Sequence, residues 1–214
     1  MQSQNRKYKI GITGGLGSGK TSASRYLITL GYPVFFADEI AKSMMVNDPS
    51  LVARITEEFG SESYKEGKLN SSYLGQKVFS SPELVKKLNS IVHPSVVINS
   101  TRIMEEALDS NDLVFYEAAL LMEAGMMERF DYILLITADE EIRVKRGIQR
   151  GGISEEQIRS RIKSQLPEEE KIKKSHFVIE NNSTFKALQT KLIQLLELLK
   201  SPENLNISEF PFFL

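Results

Sequence analysis

The chain has 214 residues and a formal net charge of −1 at pH 7, with 41% hydrophobic and 26% charged residues. This is the composition of a globular protein with a core of normal size, and nothing in the overall charge marks a nucleic-acid or membrane-surface binder. Cysteine is absent, which excludes disulfides and thiol chemistry. The polar, basic start is unlike a secretory signal, and no apolar run approaches the roughly 20 residues of a membrane-spanning helix. The expected location is the cytoplasm.

A strand, a glycine-rich turn and a helix are predicted at the start of the chain. Residues 8–13 (YKIGIT) are β-prone and partly apolar, and glycines follow them, which indicates a buried strand. Residues 21–30 contain no helix breaker and predict a helix that ends at Gly31. Residues 34–36 predict a short second strand.

The long stretch of residues 38–108 has a different character. It holds several helical segments and almost no strand signal, with breaks that include Gly60, Gly67 and the His93-Pro94 pair. On its chemistry alone, the His93-Pro94 pair indicates a helix end with an incidental histidine. A block of this length between two core strands predicts an inserted helical lobe.

The remaining core strands are short apolar runs. Residues 113–116 and 132–137 are almost continuously apolar, which is typical of parallel strands covered on both faces of a sheet. Residues 177–179 predict a last strand. These runs favour an α/β fold with a parallel core sheet.

Helices are predicted between and after the later strands. Asp139 is placed to cap a helix that reaches Arg150, and a Ser154/Gln157 capping box opens another that ends near Pro167. Apolar residues then recur at helical spacing and predict an amphipathic closing helix; they are Phe185, Leu188, Leu192, Leu195 and Leu199. The tail after Pro202 ends in apolar residues that can dock on the body of the protein or on a partner.

Residues 14–21 (GGLGSGKT) match the phosphate-binding motif G-x-x-x-x-G-K-[ST] in full, directly after a strand and at the start of a helix. Glycines let backbone N–H groups converge on phosphate oxygens, and the helix N-terminus adds a positive dipole end. Lys20 is expected to reach the β- and γ-phosphates, and the Thr21 hydroxyl to bind Mg²⁺. The motif predicts nucleoside triphosphate binding without naming a reaction.

Residues 143–174 hold ten of the 27 Lys and Arg residues of the chain. Arg143, Arg146 and Arg150 have the spacing of one helix face, and Gly151-Gly152 allows the next helix to fold back. Such a hairpin suits a lid that closes over triphosphate and excludes water. The alternative is a solvated helix pair balanced by glutamates, but the phosphate-binding motif favours the lid.

Acidic residues follow two of the predicted strands. Asp38 comes after the second strand, where a carboxylate can accept a proton from an acceptor hydroxyl, help to hold Mg²⁺, or cap the next helix. Glu117 ends the third strand, the usual place of an acid near the metal, although it can equally be an ordinary strand-end charge. Glu123 is a weaker candidate.

Taken together, these segments resemble the dephospho-coenzyme A kinase family from about Lys9 to Lys200. The specific stretches are ADEIAK at residues 37–42, LNSIVHP at 88–94, LLME at 120–123 and VIENN at 178–182. The resemblance implies transfer of phosphate from ATP to the 3′-hydroxyl of dephospho-coenzyme A, with Mg²⁺. It also implies a five-stranded parallel sheet in the order 2-3-1-4-5.

The resemblance divides the chain into functional regions. The nucleotide-binding core comprises residues 1–38, 109–142 and 175–200, and the inserted lobe, residues 39–108, receives coenzyme A. The lid is residues 143–174, and the tail is residues 201–214. The expected partners are ATP and dephospho-coenzyme A, with no nucleic acid or membrane, and the chain is expected to be a monomer or a weak homo-oligomer.

The resemblance also assigns roles to individual residues. Catalysis falls to Asp38, Lys20, Arg146 and Arg150, and the metal is held by Thr21 and Glu117. The acceptor substrate is expected to contact Asp38, His93, Leu120, Glu123 and Arg161. ATP is expected to contact Gly15, Gly17, Ser18, Gly19, Lys20, Thr21, Ser22, Arg146, Asn181 and Asn182, the two asparagines lying against adenine.

Three positions depart from the family pattern. Phe36 stands where an acid is frequent, Ala119 replaces a frequent proline, and Ser175-His176 replaces a common pair of a small residue and Asp. Because Phe36 is not an acid, Asp38 and Glu117 become stronger candidates for the metal and base roles. None of them alters the phosphate-binding motif.

Two other functions remain as alternatives. A nucleotide or other small-molecule kinase shares the motif, but the long helical insert and the His-Pro pair argue against it. A regulatory GTPase is disfavoured because the chain lacks an N/T-K-x-D guanine-reading motif.

Overall fold

The computed structural model describes residues 7–78, 80–200 and 210–214. These residues divide into two compact units. One unit contains the described residues up to Val34 and from Ala107 onward, and the other is the insert Phe35–Glu106.

The first unit is built on a sheet that contains six strands within the described residues, in the order β2-β5-β1-β6-β7-β8. Strand β1 pairs in parallel with β5 and β6, and β7 pairs in parallel with β6 and β8. The predicted order 2-3-1-4-5 is confirmed for the five core strands, and a sixth strand extends the sheet. The strands are β1 Tyr8–Thr13, β2 Val34–Phe36, β3 Tyr64–Lys65, β4 Lys68–Leu69, β5 Leu113–Glu117, β6 Tyr132–Thr137, β7 Phe177–Glu180 and β8 Phe212–Phe213, of which β3 and β4 belong to the insert.

Apolar side chains from the strands and two helices form the core of this unit. Ile12 on β1 and Ile136 on β6 are fully buried, as are Leu27 and Leu192 on helices α1 (Lys20–Thr29) and α9 (Phe185–Lys200). The predicted closing helix is therefore confirmed. Its first residue, Phe185, was expected on the buried stripe, but it is 52% exposed in the first turn, where its ring lies edge-on to Tyr26.

The end of the chain docks on its own sheet. Phe210, Phe212 and Leu214 pack against the core, and the Phe212 N–H donates to His176 O over 2.9 Å. Short apolar strands of this kind are stabilised by tertiary packing rather than by local propensity. Residues 201–209 of the predicted tail lie outside the described part.

The insert has its own apolar core and, among its described residues, four α-helices: α2 Ala37–Asn47, α3 Pro49–Phe59, α4 Ser71–Val78 and α5 Pro82–Leu108, the last of which ends in the first unit. Leu51, Ile55 and Phe59 of α3 are buried at its centre. A small antiparallel hairpin of β3 and β4, which was not expected, turns through Glu66 and Gly67, both with positive φ.

Helix α5 is 27 residues long and continues through Pro94, so the expected helix end at His93-Pro94 is wrong. Proline in a helix interior costs about 3 kcal/mol because it removes a donor and crowds the preceding turn. Ile91, Val92 and Val96 on either side of Pro94 are buried in the core of the insert, and this burial offsets the cost.

Three short helices follow β6: α6 Glu140–Arg150, α7 Glu155–Lys163 and α8 Glu168–Lys173. The capping box of Ser154 and Gln157 is confirmed. Helix α7 ends at Lys163, earlier than expected, and α8 was not predicted. Within the described residues, no helix combines the length and apolarity required to cross a membrane.

Candidate active site

The phosphate-binding motif forms a loop between β1 and α1, referred to here as the phosphate loop (residues 14–21). Gly17 and Gly19 have φ values of 77° and 97°, which favour glycine. Gly19 precedes the first turn of α1, and no side chain in the described residues caps that end. The positive dipole end of α1 thus lies at the loop, where it favours an anion.

The loop glycines are also required by close neighbours. A Cβ on Gly17 would lie 2.4 Å from Arg143 O, and one on Gly19 would lie 2.3 Å from Asn181 Nδ2. At Gly15, a Cβ would lie 2.1 Å from Arg143 Nη2. The loop is thus packed against α6 and the turn after β7, and larger residues would displace it.

The residues after Gly19 carry the polar groups of the motif. Thr21 Oγ1 donates to Glu117 Oε1 over 3.2 Å, and Glu117 is buried at the end of β5. Lys20 is half-buried, whereas Ser22 is exposed on α1. The parallel register that pairs Ile12 with Glu117 brings the carboxylate beside the start of α1.

Thr21 and Glu117 fit a magnesium site. A hydroxyl and a carboxylate are oxygen ligands of the kind that Mg²⁺ prefers. No group of three or more His, Cys, Asp or Glu side chains in the described part of the chain is arranged to hold a metal. Mg²⁺ at nucleotide sites is usually held by one or two carboxylates together with substrate phosphates, so a complete protein cage is not required.

Side chains from distant parts of the chain hold the backbone of the phosphate loop. Leu16 N donates to Gln165 Oε1 over 3.1 Å, and Arg143 Nε donates to Leu16 O over 3.0 Å. Asn181 Nδ2 donates to Ser18 O over 2.8 Å, and both Asn181 and Ser18 are buried. The loop is therefore held by residues far along the chain, and the sequence motif gave no sign of Gln165 or of this role of Arg143.

The three arginines of α6 do not form one equivalent row. Arg143 is 4% exposed and bonds to Glu168 Oε2 over 3.2 Å, Arg146 is half-buried, and Arg150 is exposed. Arg146 Nη1 approaches Gly17 O at 3.5 Å, a long contact. Arg143 thus faces the phosphate loop, and the lid role expected of the three arginines stays a prediction.

Helices α6 and α7 form a hairpin through Gly151 and Gly152, which have positive φ. Arg159 on α7 bonds to Glu141 through two N–H groups at 2.9 and 3.1 Å. It also contacts Glu140 and Glu155. Exposed ion pairs of this kind contribute little individually, whereas Ile158 of α7 is fully buried and lies against Gly147 of α6.

The two asparagines expected at adenine are bonded within the protein. The Asn181 amide contacts the phosphate loop, as described above. Asn182 Oδ1 accepts from Asp139 N at 2.8 Å, and its Nδ2 donates to Asp139 Oδ1 at 2.9 Å. Asp139 precedes α6 as predicted, but its side chain bonds to Asn182 instead of capping the helix.

The turn after β5 contains two expected acceptor contacts. Leu120 is 52% exposed, and Glu123 Oε1 accepts from Leu166 N at 3.0 Å. Arg161 is exposed on α7. Glu123 thus links this turn to the segment that follows α7.

Asp38 and His93 lie in the insert, and both are exposed. Helix α2 begins after Phe36, which is its N-cap residue, and Asp38 lies in the first turn without capping it. The interpretation of Asp38 as an N-cap is therefore wrong, because the helix starts two residues earlier than that interpretation requires.

A family model of dephospho-CoA kinase matches residues 8–187. The chain belongs to the dephospho-CoA kinase family. This confirms the resemblance seen in the sequence. Dephospho-CoA kinase from Bacteroides fragilis is 37% identical over 191 residues, covering 89% of this chain and 92% of the relative. Dephospho-CoA kinase from Dehalococcoides mccartyi is 40% identical over 189 residues, covering 87% and 94%.

Solved structures give the same result. A crystal structure of a Thermus thermophilus protein has a TM-score of 0.74 and 36% identity, covering 90% of this chain and 97% of that one. Dephospho-CoA kinase from Campylobacter jejuni has a TM-score of 0.71 and 25% identity, covering 91% and 98%. Shikimate kinase from Acinetobacter baumannii, at 17% identity and a TM-score of 0.51, shares the fold.

Proposed function

We propose that this member of the dephospho-CoA kinase family transfers the γ-phosphoryl group of ATP to the 3′-hydroxyl of dephospho-coenzyme A, the last step of coenzyme A synthesis. The observation that carries the proposal is the phosphate loop with Thr21 and Glu117 3.2 Å apart beside it, in a chain whose family match spans residues 8–187. The products are ADP and coenzyme A.

The phosphate loop and the start of α1 bind the triphosphate of ATP. The backbone N–H groups of Gly15, Gly17, Ser18 and Gly19 and those of the first turn, with Ser22 nearby, contact the phosphates. Lys20 contacts the β- and γ-phosphates. Thr21 and Glu117 would hold Mg²⁺, which would supply positive charge to the phosphates when bound.

Asp38 is the general base of this proposal. Its carboxylate accepts the proton of the 3′-hydroxyl while the oxygen bonds to the γ-phosphorus and the bond to ADP breaks. Arg146 and Arg150 stabilise the negative charge of the transferring group, for which arginine is suited by its fixed charge. The exposed side chains His93, Leu120, Glu123 and Arg161 contact the acceptor.

The same proposal assigns the insert, residues 39–108, to coenzyme A binding and residues 143–174 to a lid. Asn181 and Asn182 lie in the loop beside the adenine, with their side chains holding the protein backbone and Asp139. The protein acts in the cytoplasm as a monomer or a weak homo-oligomer, without nucleic acid or membrane.

An acceptor panel tests the proposal. ATP consumption is coupled to ADP detection with dephospho-coenzyme A, with nucleoside monophosphates and with shikimate as acceptors, and the product is identified by mass spectrometry. We expect coenzyme A to form only with dephospho-coenzyme A and Mg²⁺. Faster transfer to a nucleoside monophosphate would favour the alternative of a nucleotide kinase and overturn the assignment.

A further inference from the structure

The peptide group between Leu16 and Gly17 is held by one buried side chain from outside the phosphate loop. Arg143 Nε donates to Leu16 O over 3.0 Å, and Arg143 is only 4% exposed. The guanidinium also lies against Gly15, where an added Cβ would be 2.1 Å from Nη2. The Arg143 side chain therefore packs directly against the backbone of the phosphate loop.

The bond to Leu16 O has a consequence for the opposite side of the same peptide. In a planar trans peptide, the C=O of one residue and the N–H of the next point in opposite directions. Holding Leu16 O toward Arg143 therefore directs the Gly17 N–H away from Arg143. Asn181 acts on Ser18 O, and hence on the Gly19 N–H, in the same way.

Arg143 is itself fixed by a partly buried carboxylate. Glu168 Oε2 accepts from Arg143 Nη1 at 3.2 Å and from Lys171 Nζ at 3.3 Å, and Lys171 is 2% exposed. Burying such charges is costly, and apolar residues of similar volume often replace a buried ion pair without loss of stability. Stability alone is therefore a weak reason for an arginine here.

We propose that Arg143 is a positioning residue for triphosphate binding: by holding Leu16 O it presents the Gly17 N–H to the phosphates, and Glu168 fixes its guanidinium. This inference rests on the proposed use of ATP and adds a residue to the assigned site. Arg143 acts through the loop backbone and does not touch the nucleotide.

The test compares four variants of the full chain. Arg143→Met removes the donors, Arg143→Lys keeps a charge without the planar fork, and Glu168→Gln weakens the orientation of Arg143. Lys171→Met is the matched control, because it perturbs the same buried cluster while leaving the Arg143 bonds to Leu16 and Glu168 in place. Binding of MgATP is measured by calorimetry without acceptor, and melting temperatures are recorded alongside.

We expect Arg143→Met to weaken MgATP binding by roughly tenfold to hundredfold, the scale of small misplacements in a binding site. Arg143→Lys and Glu168→Gln should fall between it and the wild type. KM for ATP should rise while KM for dephospho-coenzyme A is unchanged. Lys171→Met should lower the melting temperature without altering MgATP affinity.

Equal MgATP affinity in Arg143→Met and wild type would overturn the inference, as would a parallel loss of affinity in Lys171→Met. If Arg143→Met does not fold, Arg143→Lys and Glu168→Gln decide by the same criterion. A wild type that binds MgATP without phosphorylating dephospho-coenzyme A would refute the proposed function alone, because the binding comparison needs no acceptor. A wild type that binds no MgATP would overturn both.

Discussion

The hydroxyl of Thr21 donates to the carboxylate of Glu117 over 3.2 Å, although the two residues are 96 positions apart in the chain. The contact joins the first turn of α1 to the end of β5. It is a consequence of the parallel β1–β5 register, which places Glu117 opposite Ile12. The hydroxyl of Thr21 and the carboxylate of Glu117 are the protein ligands of the proposed Mg²⁺ site.

Glu117→Gln should raise the Mg²⁺ concentration required for half-maximal activity by roughly tenfold to hundredfold, the usual effect of losing a partner near a metal. The amide oxygen can still accept from Thr21, so the fold should persist. A Mg²⁺ titration at saturating ATP measures the effect. An unchanged Mg²⁺ requirement would make Glu117 an ordinary strand-end charge.

Lys20→Ala should abolish phosphoryl transfer while the protein stays folded. Lys20 is the motif residue proposed to contact the β- and γ-phosphates. Activity is followed by coenzyme A formation and folding by circular dichroism. Arg25→Ala, at an exposed position of the same helix, is the control and should change turnover much less. Near wild-type turnover in a folded Lys20→Ala protein would contradict the role of the motif.

Asp38→Asn should lower kcat by about 10²–10⁴, the range for a positioned general base. Its effect on stability should be small, since Asp38 lies in the first turn of α2 and does not cap it. Phe36, two residues earlier, offers no carboxylate to replace it. Turnover at saturating substrates and melting temperature are the two measurements, with Glu39→Gln in the same turn as the control. Most of kcat surviving in Asp38→Asn would place the base elsewhere.

Stability should fall as the pH is lowered below about 6.5, the ordinary pKa of histidine, because of His176. Burial lowers the pKa of His176, and its Nδ1 accepts from Ile133 N at 2.9 Å, which requires a neutral ring. The unfolded chain therefore takes up the proton first. The loss of stability begins near the pKa of His176 in the unfolded chain. It is complete below the lowered pKa of His176 in the folded protein.

This effect is measured by the melting temperatures of the wild type and of His176→Asn between about pH 7.5 and 5. The range extends on the order of one unit to either side of the ordinary pKa of histidine. Asparagine keeps an acceptor oxygen near the place of Nδ1 and does not titrate. The two curves should converge or cross as the pH falls. Parallel curves would show that His176 does not contribute to the pH dependence.

The parts of the fold that the sequence predicted depend on local signals. Apolar runs gave the core strands, and the phosphate-binding motif gave the loop and the start of α1. Helix α5 continues through Pro94 because packing of Val92 and Val96 overrides the local preference. Strand β8 has only two residues, and its partner β7 lies far away in sequence, so no periodicity marks it.

The sequence predicted the motif residues of the candidate site. It did not predict the side chains that hold the backbone of the phosphate loop. The spacing of Arg143, Arg146 and Arg150 places them near one face of a helix, but it does not show which of them meets the loop. Gln165 binds Leu16 across 149 positions, a relationship that no local pattern contains. Side chains that hold backbone atoms far along the chain become visible only once the sheet has been assembled.

The supports of the phosphate loop also determine when it can form. The loop is synthesised well before the residues that hold it, which are Arg143, Gln165 and finally Asn181, 163 positions after Ser18. Closing such long loops is slow compared with local folding, and domains generally fold as units during synthesis. A growing chain that stops before Asn181 therefore carries the complete motif without all of the side chains that hold its shape, and we expect ATP to stabilise it less than a chain that includes Asn181.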